Sequence, residues 1–430
     1  MRTLAILSAL TVTLCGPGAA AQQAGAYQQG AYPGAAAPGP DYRVGWCESY
    51  ASEHAPPSNG CGTVWDSGPA GNVEYGGGCA PPEGVGYGAD GYGMACGPAV
   101  PVAQPAAPRA IWGVAGGALF LARDRSNQHT FSFDDPNEDR QYLDARDVEF
   151  DLAPGYELRL ARFDVCAMQA VELVYWQLFP GVQTQEVRDS ELAGNLSAIL
   201  NYNQLDYNGA TADNSTNNAA IHQIRNDTAA YNVEANWVRV LQGCNCGPTL
   251  SSLFGFRFFR FDEHLRFASD PSDYYYSYEA DELYYNIDVE NTLVGFQLGG
   301  FAEQCFTCKW SGVLGAKAGV FANFAEGYSH IGGAAGTAVI NNGPNNGRAW
   351  RVDNSKTDVA MLAELTAGVV GQLNCHWRLG LEYRLIGIAG LAQPANQVYH
   401  DVRGINDVEL LKTNGSLILH GGVVSLERLW

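Results

Sequence analysis

Residues 376–389 read His-Trp-Arg-Leu-Gly-Leu-Glu-Tyr-Arg-Leu-Ile-Gly-Ile-Ala and alternate between apolar and polar side chains. In an extended chain one face carries Trp377, Leu379, Leu381, Tyr383 and Leu385, and the other carries Arg378, Gly380, Glu382 and Arg384. Residues 154–163 repeat the pattern, with Tyr156, Leu158 and Leu160 opposite Glu157, Arg159 and Ala161. A period of two with one apolar face predicts a β-strand between two different environments.

Working outward from these stretches, we predict ten strands, many of them longer than the strands of soluble sheets. The connections alternate between long ones (124–146, 179–228, 263–282, 326–356 and 390–414) and short ones (near 164–166, 243–247, 302–308 and 374–375). An even strand number and this asymmetry are typical of transmembrane barrels. The predicted fold is therefore an all-β, antiparallel, up-and-down barrel. Twelve strands are the alternative if 192–206 hides a hairpin. The ten predicted strands are 111–123, 147–163, 167–178, 229–242, 248–262, 283–301, 309–325, 357–373, 376–389 and 415–430.

The composition excludes several classes of protein. Acidic residues outnumber basic ones by 45 to 25, which gives a net charge of -20 and argues against nucleic-acid binding. Only 16% of residues are charged, and no run of about 20 apolar residues follows the first 21. An ordinary cytosolic enzyme or a helical membrane protein is therefore not expected.

Three segments differ in composition. Residues 1–21 combine Arg2, an apolar stretch and Ala19-Ala20-Ala21, which predicts a cleaved signal peptide. Residues 22–110 are rich in Gly, Pro and Tyr, and we predict a flexible extramembrane segment. Its Cys47, Cys61, Cys79 and Cys96 indicate a small disulfide-stapled module, a tether to the cell wall or an oxidised, poorly ordered linker. Residues 111–430 form the predicted barrel.

The six later cysteines coincide with the short connections. In a sequential barrel neighbouring turns lie about one strand spacing apart, within the Cα separation that a disulfide needs. We predict three disulfides, although a thiolate metal site or six unpaired cysteines would also place cysteines at turns. The predicted pairs are Cys166–Cys244, Cys246–Cys305 and Cys308–Cys375.

A resemblance to a known family rests on three stretches. They are Leu253-Phe-Gly-Phe-Arg-Phe-Phe-Arg-Phe-Asp-Glu263, Asp288-Val-Glu-Asn-Thr-Leu-Val-Gly-Phe-Gln297 with Trp310 after it, and the closing strand with His420-Gly421-Gly422. Together they resemble a β-barrel porin family of planctomycete bacteria over roughly 111–430. The resemblance implies an outer-membrane location and a pore, and we transfer no binding residues from it.

The inner face predicted by alternation carries five acids and five bases. These charges favour either a polar conduit that selects solutes or an ion-pair network that plugs a narrow barrel. The predicted lumen-facing residues are Glu157, Arg159, Glu172, Glu234, Arg257, Lys317, Glu364, Arg378, Glu382 and Arg384.

Catalytic, metal and cofactor motifs do not stand out in this sequence. We find no nucleophile elbow, no zinc-protease motif and no phosphate-binding loop. His264, His330 and His400 are assigned to long loops, where a hydrolase could keep a His–Asp pair. The tyrosine-rich acidic segment 263–290 could bind cations, form a solvated loop or join an aromatic girdle.

These observations together predict an outer-membrane porin for the passive diffusion of small hydrophilic solutes. The expected partners are outer-membrane lipid and those solutes, without nucleic acid, cofactor or metal. The alternatives are a closed structural or surface-recognition barrel with functional extracellular loops, and an outer-membrane hydrolase.

Overall fold

The computed structural model describes residues 110–124, 128–135, 137–148, 152–165, 167–242, 248–307 and 309–430. The predicted signal peptide and the segment 22–110 lie outside these residues, except for Ala110. Helices are few in the described chain, and none of them is long and apolar enough to cross a membrane.

Ten long strands form one closed antiparallel barrel. Each strand pairs with the next along the chain, and the last strand pairs with the first. This is the predicted up-and-down fold with the predicted strand number. The strands are β1 (Ala110–Arg123), β2 (Ala153–Asp164), β3 (Gln169–Arg188), β4 (Ile221–Gln242), β5 (Thr249–Asp270), β6 (Leu283–Cys305), β7 (Trp310–Gly333), β8 (Arg351–Gln372), β9 (Trp377–Leu391) and β10 (Gly415–Leu429).

Period-two alternation forms these strands because it gives each one a lipid-type face and an inner face. On β8 the outward residues from Val359 to Val369 are all apolar, whereas Glu364 and Thr366 point inward and are buried. On β5 Phe254 and Phe256 are exposed outward, and Arg257 is fully buried inside. The exposed apolar side chains run around the barrel as one band, here called the belt.

The long connections fold into a compact unit at one end of the barrel, here called the cap. A four-stranded sheet and a three-stranded sheet belong to the cap. Its segment Asn195–Ala198 lies in the four-stranded sheet, so the twelve-stranded alternative, which placed a barrel hairpin there, is wrong. The sheets comprise Thr130–Asp135, Asn137–Asp144, Asn195–Ala198 and Asn217–Ala219, and then Leu205–Tyr207, Ala210–Thr211 and Val339–Ile340; Gly336–Thr337 pairs with β7.

Short helices complete the cap. Five are 3₁₀ turns and one is a single α-helical turn, so they serve as connectors between strands. They are Ala145–Val148, Asp189–Glu191, Tyr202–Gln204, Ala212–Ser215 and Pro394–Gln397, and then the α-helix Ile405–Val408.

The described chain has two separate hydrophobic cores. One lies in the cap and includes Trp350, Phe131 and Phe267. The other lies inside the barrel wall and includes Trp176 and Phe259. The barrel interior is therefore a packed core along part of its height, and this bears directly on what can pass through it.

The structure corrects two predicted loops. They are the connections 263–282 and 326–356: residues 263–270 complete β5 and residues 326–333 complete β7, whereas β6 begins at Leu283 as predicted. His264 and His330 likewise lie on strands β5 and β7 instead of loops, whereas His400 does lie in a loop. The upper ends of the strands were missed because their outward faces are polar and resemble loop sequence.

Candidate functional site

The lumen of the barrel is the candidate functional site, and it is ordered in layers along the barrel axis. In the structure all ten predicted lumen-facing residues lie on the inner face of the barrel. Their side chains alternate along each strand with side chains that point outward. The layers follow one another from the end with the short turns towards the cap.

The first layer is a vestibule at the short-turn end. Arg378 pairs there with Glu303 at 3.2 Å and with Glu427 at 3.3 Å. The Glu427 side chain keeps 31% of its surface exposed, so this layer is partly open to solvent. Glu303 and Glu427 were not predicted: Glu303 lies in the predicted connection 302–308, and Arg428 interrupts the alternation next to Glu427.

The second layer is a buried network of acids and bases, here called the lumen network. Arg257 contacts Glu364 at 2.8 Å, and Lys317 contacts Glu234 at 3.0 Å. Their side chains are almost fully buried, with Arg257 at 0% and Glu234 at 1% exposure. Since each buried charge has an opposite partner, the layer avoids the large cost of isolated buried ions.

The same network continues across the lumen to β2 and β9. Arg384 contacts Glu157 at 2.6 Å and Glu364 at 3.7 Å. Arg159 bridges Glu157 at 2.5 Å and Glu382 at 3.4 Å. Charges on strands three apart, such as β2 and β9 or β4 and β7, therefore reach each other across the lumen, which a wide aqueous pore would not allow.

Neutral amides complete the lumen network. Asn236 donates to Glu234 at 3.1 Å and to Glu172 at 3.3 Å, and Gln297 donates to Glu234 at 2.8 Å. Asn232 accepts a bond from Arg257 at 2.6 Å. The alternation in the sequence places these amides on the polar face, but only the register shows that they satisfy the carboxylates.

An apolar layer follows directly towards the cap. Several strands change from charged to apolar along their inner faces, for example from Arg257 to Phe259 and Phe261 on β5. The rings of Trp176 and Phe259 lie 5.9 Å apart and are fully buried. This layer closes the lumen above the network. The other large members are Leu119, Leu293, Phe321, Leu362, Ile386, Leu417 and Leu419.

A second polar level separates the apolar layer from the cap. Arg123 contacts Glu263 at 2.5 Å, and Asn226 donates to the same carboxylate at 3.0 Å. Asn323 donates to Asn291 at 3.0 Å, and Asn291 donates to the Ala392 carbonyl at 2.8 Å. These bonds connect barrel strands to the connection after β9.

The cap contains two polar centres. Glu282 is fully buried and accepts from the Ser277 and Tyr278 backbone N–H groups at 2.7 and 2.8 Å and from the Tyr284 hydroxyl. His222 is also fully buried, and its Nδ1 lies 2.8 Å from the Ser132 hydroxyl. Burial lowers the pKa of His222 to about 3, so this histidine is neutral.

The outer wall above the belt carries ionic ladders. Arg260 pairs with Asp262 at 2.8 Å and with Glu290 at 2.7 Å, and His264 contacts Asp288. These side chains point away from the lumen. The His264–Asp288 pair therefore lies on the barrel exterior, and no cluster of His, Cys, Asp or Glu in the described chain has the arrangement of a metal site.

Two of the six cysteines predicted to form disulfides, Cys305 and Cys375, lie within the described residues. Cys166, Cys244, Cys246 and Cys308 lie outside the described residues. Cys305 ends β6, and Cys375 lies in the short turn before β9 and is disulfide-bonded. The three pairings remain predictions.

Comparisons with known proteins identify no family: no family model and no curated protein matches the chain. Solved structures of distant barrels do match. The toluene transporter TodX of Pseudomonas putida is 12% identical, with coverage of 75% of this chain and 90% of that chain and a TM-score of 0.28. A major outer membrane protein of Thermus thermophilus is 12% identical, with coverage of 75% and 99% and a TM-score of 0.25. Scores of this size do not carry the properties of those proteins over to this chain.

Proposed function

We propose that the chain is an outer-membrane β-barrel with a closed lumen, and that its cap carries the functional surface on the extracellular side. The observation that carries this proposal is the combination of an apolar belt outside with a packed interior inside. The belt suits lipid, and the packed interior suits an anchor better than an open channel.

The belt supports insertion in a membrane. On β8 it runs over eleven residues, from Val359 to Val369, and about 9–11 tilted residues cross a bilayer. Outward residues beyond it, such as Arg351, Asp353 and Ser355, are polar. Long connections on one side and short turns on the other support an extracellular cap and a periplasmic short-turn end.

The closed lumen is supported by the lumen network and the apolar layer together. A small barrel is filled by its own side chains, and here charges on strands three apart are in direct contact. The Trp176–Phe259 pair then lies in the way of any path from the network to the cap. A hydrated route for solutes would require this layer to move.

The cap offers a surface that suits a cationic partner. Tyr275 and Tyr278 are 76% and 65% exposed, beside Asp273, Glu279 and Asp281. Tyr278 has a positive φ of 63°, and its N–H group is held by buried Glu282. Exposed aromatic rings on a fixed backbone, with carboxylates around them, favour contact with cations.

Passive diffusion of small hydrophilic solutes remains the second proposal, and the vestibule favours it. The ion pairs become progressively more exposed towards the periplasmic end, from Glu234 in the network to Glu427 at the rim. Such a charged funnel would collect small ions if the apolar layer opened. The expected partners of this second function are the small hydrophilic solutes themselves.

Single-channel recording in planar bilayers separates the two proposals. The closed barrel predicts no steady current from the wild-type chain. It also predicts that Trp176→Ala with Phe259→Ala, which removes the apolar layer, produces a conductance. The matched control is Trp237→Ala with Phe256→Ala, because both residues are exposed on the outer face of neighbouring strands of the same wall.

A steady wild-type current would overturn the closed barrel and support the porin. In that case Glu364→Gln with Glu382→Gln should change the ion selectivity, because both carboxylates face the lumen. A silent wild type and a silent Trp176/Phe259 double variant would instead show that the apolar layer is not the seal.

We further propose that the chain is not an enzyme. His264 and Asp288 lie on the barrel exterior, and His222 with Ser132 is fully buried and faces the Thr216 carbonyl at 3.1 Å instead of a carboxylate. Hydrolysis of a lipid ester that was lost in His264→Ala or His222→Ala would overturn this proposal.

A further inference from the structure

The periplasmic end of the outer wall carries a concentration of tryptophan. Trp112, Trp237, Trp310 and Trp430 are exposed there, and Trp377 is half-buried on the same wall. Trp237, Trp310 and Trp377 lie near short turns, Trp430 follows β10, and Trp112 pairs with Trp430 through backbone hydrogen bonds of 3.0 Å. Tryptophan prefers the level of lipid headgroups, so this ring marks the interface of the membrane leaflet on that side.

Two arginines interrupt the apolar outer face at the same level. Arg428 breaks the alternation of β10, and Arg162 does the same near the end of β2. An arginine on the lipid face costs little near the interface but more towards the midplane. Neither arginine is explained by the lumen, because both point away from it.

Both guanidinium groups are stacked on tryptophan. Arg162 lies over the Trp112 ring at 5.7 Å, and Arg428 lies over Trp377 at 5.7 Å and over Trp430 at 6.0 Å. Contact with an aromatic face restricts the planar guanidinium without using its N–H donors. The arginines are therefore held in place before any ligand arrives.

The nearby carboxylates are engaged elsewhere. Glu427 points inward and pairs with Arg378 at 3.3 Å, and Asp164 accepts a bond from the Ala167 N–H group at 3.0 Å. Among the salt bridges between described residues, none involves Arg162 or Arg428. In a chain with a net charge of -20, these two arginines therefore form no direct ion pair with a described side chain.

The strand register brings the two arginines to one patch. Trp112 is directly opposite Arg162 on β2, and Val114 is opposite Arg428 on β10. Only β1 separates the arginines, so their backbones lie about two strand spacings, ~10 Å, apart across the wall. Trp112 and Trp430 are backbone hydrogen-bond partners at 3.0 Å, so the guanidinium groups over these two rings flank one patch of the wall.

We propose that Arg162 and Arg428 bind the phosphate of an anionic phospholipid in the periplasmic leaflet, with Trp112, Trp377 and Trp430 packed against its glycerol region. Guanidinium groups recognise phosphate through paired N–H donors, and the site lies where the belt ends and headgroups begin. The inference rests on the proposed membrane location. It adds a specific lipid site to a surface otherwise described only as apolar.

The test uses the full chain refolded into phosphatidylcholine vesicles that contain a small fraction of brominated lipid. Bromine quenches nearby tryptophan fluorescence, so quenching by brominated phosphatidylglycerol is compared with quenching by brominated phosphatidylcholine. The wild type should favour phosphatidylglycerol. The preference should fall about fivefold for each arginine replaced in Arg162→Gln and Arg428→Gln.

Arg239→Gln is the matched control. Arg239 is exposed on the outer face near the end of β4, and in the described chain its guanidinium is not stacked on an aromatic ring. This variant should keep the preference. If Arg239→Gln lost as much of the preference as Arg162→Gln, the proposed site would be wrong. The preference would then come from the total positive charge at this end of the barrel.

Three further outcomes are decisive. Equal quenching by both brominated lipids in an inserted wild type would overturn the lipid site while leaving the barrel in place. Loss of the preference in excess inorganic phosphate would assign the arginines to a soluble anion and overturn the lipid as ligand. No quenching by either lipid would mean that the chain does not insert, and the membrane proposal itself would fail.

Discussion

Asp270, the last residue of β5, holds the start of the acidic loop 271–282. The Asp270 side chain is almost fully buried and accepts bonds from the Ser272 and Asp273 N–H groups at 2.8 and 3.3 Å. Burial, with further contributions from Asp273 and Glu282, raises the pKa of Asp270 to about 6. The carboxyl therefore titrates close to neutral pH.

We expect this loop to become better protected as the pH falls from about 8 to about 5. The folded-state pKa is above the unfolded value of 3.8, so the folded state favours the protonated form, and stability is lost as the pH rises through about 6. Asp270→Asn keeps the acceptor oxygen without the charge. It should make hydrogen-exchange protection of 271–282 independent of pH over this range.

Asp401→Asn is the control for the same measurement. Its carboxylate accepts hydrogen bonds from Arg403, and these lower the pKa of Asp401. Its contribution is therefore present above 3.8 and changes only at lower pH. A pH response of loop 271–282 that persists in Asp270→Asn would contradict the assignment to Asp270.

The residues of the lumen were only partly predictable from the sequence. Alternation places Glu234, Arg257 and Glu364 on the inner face, and the register then shows their contacts. It does not predict the apolar layer, because β5 carries phenylalanine on both faces, outward at Phe256 and inward at Phe259. Where both faces are aromatic, a period of two loses its contrast.

At the scale of one strand, the apolar face changes side along its length. On β5 the apolar residues point outward within the belt, at Phe254 and Phe256, and inward beneath the cap, at Leu265 and Phe267. The upper strand has the pattern of a soluble sheet, with Asp262 and Arg266 outward. The sequence prediction ended strands at this change, because it required the apolar face to stay in phase.

Because the apolar face of a strand changes side, the cost of an outward charged residue should depend on its position along the strand. We expect Ala363→Arg, outward in the middle of the belt on β8, to destabilise the barrel by about 2–4 kcal/mol, since arginine is costly at the midplane of a bilayer. Ser355→Arg lies on the same face of the same strand beyond the belt and should change stability by about 0.5 kcal/mol or less.

Urea unfolding of both variants in vesicles, followed by gel mobility, measures the difference. Both substitutions introduce arginine, so the β-propensity of the new residue is the same in both variants. The variants differ in the position of that residue along the strand. Similar destabilisation by Ala363→Arg and Ser355→Arg would show that the outward residues between Val359 and Val369 do not face lipid.

At the scale of the whole molecule, the core of the cap and the core of the barrel are enclosed by different surroundings. The cap core around Trp350 is buried by loops and by the inward faces of the upper strands, as in a soluble domain. The core around Trp176 is enclosed by a wall whose outer side we assign to lipid. Composition could not reveal this division, because several of the same strands contribute apolar residues to both cores.

We therefore expect two unfolding transitions in urea, with the cap unfolding before the barrel. Local units with separate cores open separately, and lipid stabilises only the one that it contacts. Trp350→Phe should remove the fluorescence change of the first transition, and Trp176→Phe should reduce that of the second. Because each change keeps an aromatic ring in place, the midpoints should shift little. A single transition that both variants diminish alike would show that the cap and the barrel form one cooperative unit.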